Sequence, residues 1–170
     1  MAHPIIEHAI VELPRFAYET QRLEAEGQPS QLLVRVNPDR AGRDRWVLIT
    51  VFEGLGENLP DADLVQFFCR LPVDAPDPSR RGDFTRLLLA VNNVSSVGQF
   101  CIREADGLLY FRAIGMFPRA PETWLMLLYQ HLVFAVFQMD EFGATIEAVA
   151  TGQVDAQGAL AADPRLGGLA

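Results

Sequence analysis

Two cysteines, three histidines and a few neighbouring carboxylates are the residues able to do chemistry in this 170-residue chain. Cys69 and Cys101 each follow a phenylalanine inside an apolar stretch. They have no CxxC spacing, so neither a zinc knuckle nor a thioredoxin-like motif is indicated. Buried or half-buried free thiols, as in a reducing compartment, are expected instead. His3 and His8 lie near the N-terminus and His131 stands alone in an apolar run; no HExxH pair exists. Gly54-Leu55-Gly56 opens like a dinucleotide fingerprint, but Leu59 stands where the third glycine belongs and no helix start follows. Glu57, Asp61 and Asp63 form an acidic loop lacking the glycine and terminal glutamate of a calcium loop, and read as solvated charges. Asp140 and Glu141, beside Phe142, mark the exposed side of a helix rather than an acid–base pair. All 14 basic residues are arginine, which removes Schiff-base, P-loop and Ser–Lys chemistry. No catalytic residue, cofactor site or metal site is expected.

The 22 acidic residues outnumber the basic ones for a net charge of −8. Nucleic-acid or anionic-membrane binding needs a basic surface and is not expected. The apolar fraction, 49%, suffices for a core without disulfides or metal. Met1 to Ile10 has no basic n-region or apolar h-region, so no secretory signal is read there. Trp124 to Met139 carries no formal charge, but it is shorter than the about 20 residues of a spanning helix and contains Gln130, His131 and Gln138. A buried core helix and a cytoplasmic protein are expected.

The elements that position these residues follow from periodicity. Residues 1–13 suggest a short helix ended by Pro14, whereas Phe16 to Glu24 reads equally as helix or strand. Gln31 to Val36 has strand composition. Asp44 to Glu53 is the strongest strand: Trp46, Leu48, Thr50 and Phe52 point one way, Val47, Ile49 and Val51 the other. Because both sides are largely apolar, a cover on each face is expected. Leu64 to Val73 is a further strand. The spacing of Phe84, Leu87, Leu88 and Val91 predicts a helix packed on the sheet.

Gln99 to Glu104 and Leu108 to Ile114 predict a hairpin around Asp106-Gly107. A two-residue turn would set Arg103 opposite Tyr110, Ile102 opposite Phe111 and Cys101 opposite Arg112. Phe100, Ile102, Leu109, Phe111 and Ala113 make its dry face. Cys101, Arg103, Tyr110 and Arg112 make the other, a candidate partner-binding face for an acidic or aromatic group. Pro121 suits the first position of the last long helix, and Glu122 its dipole. That helix is apolar nearly all round from Trp124 to Phe137, more than one stripe against a sheet requires.

The run FTRLLLAVNNVSSVGQFCIREADGLLYFRAIGMF, followed after APET by a long apolar helix, resembles the YbjN-like family, which shares the type III secretion chaperone-like fold. Asn92 and Asn93, Gly98, Phe100, Asp106, Gly107, Tyr110 and Phe111 carry the pattern, and VLITVFE and LVQFFCRLPV match the preceding sheet. The resemblance implies an α+β domain, an antiparallel sheet packed by helices on one face in the order α-β-β-β-α-β-β-α. It also implies dimerisation and capture of segments of other proteins, without a common catalytic site.

Together these readings lead to one α+β domain over 1–152 with a flexible tail over 153–170. The expected role is a non-catalytic interaction or chaperone-like adaptor module: a homodimer with a protein or peptide partner, and no cofactor, nucleic acid or membrane. Trp46, Phe52, Trp124, Leu128 and Phe137 are the candidate association surface. The alternative is a ligand-binding or enzymatic domain with a pocket between sheet and long helix, where His131, Cys101 and Tyr110 would supply the polar groups.

Overall fold

The computed structural model describes residues 3–24, 27–52 and 59–167. Helix α1 (Pro4–Glu12) and a 3-10 turn (Leu13–Phe16) precede strands β1 (Glu19–Leu23), β2 (Gln31–Val36), β3 (Arg45–Phe52) and β4 (Ala62–Asp74). Helix α2 (Pro78–Val94), strands β5 (Gln99–Arg103) and β6 (Leu108–Pro118), and helices α3 (Pro121–Ala150), α4 (Ala156–Ala162) and α5 (Pro164–Gly167) follow. The strands form one six-stranded sheet in the order β1-β2-β3-β4-β6-β5, with antiparallel pairing. The fold is α+β, with one strand more than the sequence order suggests: β1, in the stretch that reads equally as helix or strand. The chain divides into two compact units, Met1–Cys69 with Ala113–Val136, and Arg70–Arg112 with Phe137–Ala170.

In the first unit, α1 starts where His3 caps it, its Nδ1 accepting the Ile5 amide at 3.3 Å, with Pro4 in the first turn. Ile5, Ile6 and Ala9 are buried, as are Val47, Ile49 and Val51 of β3 and Val65 and Phe67 of β4. The first half of α3 roofs that side: His131 stacks on Phe67 at 4.9 Å between ring centres and lies 5.5 Å from Phe117. Helix α1 lies on the same side, His8 meeting Trp124 edge-on at 5.7 Å. Trp46, Leu48 and Phe52 face the other way and stay half-exposed. The cover expected on both faces of β3 is therefore found on one, because the described helices of this unit all pack on the Val47 side. Thr50, buried on the open side, is matched by Gln31, whose Nε2 donates to its hydroxyl at 3.3 Å.

In the second unit, α2 buries Phe84, Leu87, Leu88, Ala90 and Val91, the predicted stripe with one alanine added. The second half of α3 buries Met139, Phe142, Ile146 and Val149 at alternating three- and four-residue steps. Phe100 meets Phe111 at 5.2 Å and Phe142 at 6.4 Å. Within the stretch expected to be a flexible tail, Ala156–Ala162 and Pro164–Gly167 are instead helical: α4 and α5 pack on α2, burying Ala156, Ala159 and Leu166. Asp155 caps α4 through the Gly158 amide at 2.6 Å, and Arg165 bonds Glu141 at 2.5 Å. A run rich in alanine and glycine looks loose because its apolar groups are small; one cap, one ion pair and one leucine anchor it.

Candidate functional site

The β5–β6 hairpin carries the candidate partner face, and its register differs from the one a two-residue turn would set. Cys101 pairs with Tyr110, Gln99 with Arg112, Ile102 with Leu109 and Arg103 with Leu108, so Glu104 to Gly107 form a four-residue loop. The slip is two residues, so every side chain keeps its predicted face. Gly107 takes a φ of +73° and its amide bonds the Arg103 carbonyl at 2.8 Å. Asp106 is used up inside the loop, since Arg103 clamps both its carboxylate oxygens at 2.8 and 2.5 Å. The Arg103 guanidinium holds the exposed Asp106 carboxyl down at about 2. Arg103 is thus committed to its own loop. Cys101, Tyr110 and Arg112 remain grouped, and burial followed by the neighbouring Cys101 raises the Tyr110 phenol.

The candidate association residues divide by burial. Trp124 is 7% exposed, its Nε1 donating to the Pro118 carbonyl at 2.7 Å, and Leu128 is fully buried. Both belong to the interior seam of α3 and cannot meet a partner. Trp46 and Phe52 lie half-exposed on the helix-free sheet side, and Phe137 is exposed on α3.

Two residues the sequence reading passed over complete the open side of the first unit. Ile114 and Met116 are 50% and 60% exposed. They alternate along β6 with buried Ala113, Gly115 and Phe117, the last two against His131. Ile114 and Met116 therefore point to the side that Trp46, Leu48 and Phe52 share, away from the helices. The signal was the period-two alternation, which runs on past Arg112 for two more turns of the pleat. On the opposite side, α3 presents Met126, Tyr129, Val133 and Phe134 outward, with Phe16 against Tyr129 at 5.8 Å.

His131 is held between α3 and β6. Its Nδ1–H donates to the Leu127 carbonyl at 2.8 Å, and Nε2 lies against Gly115. Cys69 is buried, and burial pushes its thiol up to about 12; Cys101 is a free, half-exposed thiol. Asp63 is buried and bonded by Arg119 at 3.3 Å, with His3 Nε2 at 3.6 Å, so it is paired with side chains rather than solvated. Gly54, Gly56 and Glu57 lie outside the described residues. Among the described residues no group of three His, Cys, Asp or Glu is placed to hold a metal ion, and no helix is long and apolar enough to cross a membrane. A hollow of about 490 Å³ in the second unit is lined by Asp83, Arg86, Asp155, Gln157 and Leu160 and does not include His131, Cys101 or Tyr110. No family model, curated protein or solved structure matches the chain.

Proposed function

We propose that this chain is a non-catalytic protein-binding module, an adaptor that holds an apolar segment of another protein on the helix-free side of its first unit. The observation that carries the reading is the pair Ile114 and Met116, half or more exposed in mid-strand and sharing a side with Trp46, Leu48 and Phe52. An uncovered apolar side of a sheet costs solubility unless a partner covers it for part of the time. Those side chains are large, and none carries a charge that a partner would have to desolvate. A YbjN-like assignment, a cytoplasmic location and self-association belong to the same proposal. Support for self-association comes from the outward residues Met126, Tyr129, Val133 and Phe134 of α3, spaced as a helix-packing face.

Site-specific photocrosslinking tests the docking side. A photoreactive residue replacing Met116 is expected to give a discrete adduct in native cell extract. The adduct should vanish when Ile114→Glu is added, whereas Val11→Glu, at an exposed position of α1, leaves it in place. Diffuse labelling insensitive to Ile114→Glu would overturn the assignment. Light scattering at micromolar concentration tests self-association, with Met126→Glu and Val133→Glu expected to return a dimer to monomer.

A further inference from the structure

Among the described residues strand β5 ends the sheet, with β6 on one of its sides and no described strand on the other. Such an edge offers unpaired backbone groups to any chain that can add a strand. In an antiparallel pair the groups of alternate residues point toward the partner strand and away from it. At Phe100, the middle of β5, they point away from β6. The amide N–H donates to Asn92 Oδ1 at 2.8 Å and the carbonyl accepts from Asn92 Nδ2 at 3.0 Å.

A primary amide carries one donor and one acceptor side by side, as a peptide group does. Asn92 therefore presents to Phe100 what a neighbouring strand would present. The residue belongs to the last turn of α2, whose C-terminal end Ser95 fixes through hydroxyl contacts to the carbonyls of Val97 and Gly98 at 3.2 and 3.3 Å. Gly98 follows in the left-handed region at φ +76°, which turns the chain back along the helix end so that Phe100 reaches Asn92. The two bonds satisfy both outward groups at the centre of a five-residue edge.

We infer that Asn92 is a stand-in strand: its side-chain amide closes the β5 edge against strand addition, and the occupant it excludes is β5 of a second copy of this chain. An edge strand is complementary to its own antiparallel copy, since a two-fold axis at Phe100 exchanges the same donor and acceptor between the two chains. That arrangement would bring the Cys101 residues of the two copies onto diagonal cross-strand positions, about 7–8 Å apart. Cys101 is a half-exposed free thiol, whereas the other cysteine, Cys69, is buried. The protein thus contains its own reporter of edge pairing. The inference does not depend on the proposed partner side, which lies in the other unit.

The test is thiol crosslinking of the full chain with a short bismaleimide, comparing wild type with Asn92→Ala. The expected result is a rise of about tenfold or more in Cys101–Cys101 crosslinked dimer, the scale set by losing two net hydrogen bonds. Equal yields would overturn the inference. Asn92→Asp keeps the acceptor for the Phe100 amide and guards against a folding failure of the alanine variant; it is expected to fall between the two, and a yield equal to wild type counts against the inference. Hydrogen exchange in the wild-type protein gives an independent reading. The Phe100 amide should exchange as slowly as the Cys101 amide, and free exchange at Phe100 would sink the idea.

Discussion

The imidazole of His131 occupies the space that a side chain at position 115 would fill. A Cβ added to Gly115 would lie 2.5 Å from His131 Nε2 and 2.9 Å from Phe117 Cε2. Helix α3 can sit this close to β6 because the strand has no side chain there. The ring cannot easily retreat, since Nδ1 is tied to Leu127 and one face is stacked on Phe67.

Gly115→Ala is therefore expected to destabilise the protein by about 1–3 kcal/mol, the range for overpacking a filled site. Urea denaturation would measure it. In a His131→Ala background the same change should cost much less, and an additive double-mutant cycle would show that the two positions do not compete for one space.

Gly98 and Gly143 should respond in opposite directions. A Cβ at Gly98 would fall 2.4 Å from the Phe111 ring and 2.8 Å from the Arg112 carbonyl oxygen, at a φ of +76°. Gly98→Ala should cost about 3 kcal/mol or more, as both backbone strain and a backbone clash apply. Gly143 lies inside α3 with nothing within 4 Å of the added carbon. Gly143→Ala should stabilise by up to about 1 kcal/mol through helix propensity. Thermal melts of the two variants check both signs.

Leu166 is 1% exposed although it lies four residues from the end of the chain. Leu166→Ala is expected to cost about 2–4 kcal/mol, as for a core leucine. Val154, 43% exposed, serves as the control, with Val154→Ala near neutral. Chemical denaturation that finds both neutral would mean that α5 is not anchored on α2.

The Arg103–Asp106 clamp gives a pH signature. The carboxyl is held at about 2, below its unfolded value, so its contribution to stability is present above about pH 4 and fades as pH falls toward 2. The pair is exposed, so the change in stability should be small. Carbon NMR of the Asp106 carboxyl should titrate near 2 in wild type and return toward about 3.9 in Arg103→Gln. An unchanged midpoint would assign the shift to another group.

Much of this fold is legible in residue spacing. The alternation of β3, β5 and β6 specified which side chains share a face, and the stripe of α2 specified which ones are buried. The grouping of the candidate face is legible in the same way: Cys101, Tyr110 and Arg112 stay together in the observed register because a two-residue slip preserves parity. What spacing could not reveal is that Arg103 is spent on Asp106, since both registers allow the same alternation and only the four-residue loop brings that carboxylate under the guanidinium. Nor could it single out Asn92, whose role depends on β5 being an edge.

The sequence by itself determined the α+β class, the faces of the strands and the want of lysine chemistry, because periods of 2 and 3.6 and the residue types are local properties. Tertiary structure alone decided which apolar surfaces are covered. Trp124 and Leu128 are as apolar as Met126 and Phe137, yet the first pair is interior and the second faces outward. Likewise Val47 and Trp46 are both apolar, and only the side taken by α1 and α3 distinguishes them. Burial is a property of pairs of surfaces, so a helix apolar all round, or a strand apolar on both faces, holds no record of which side found a cover.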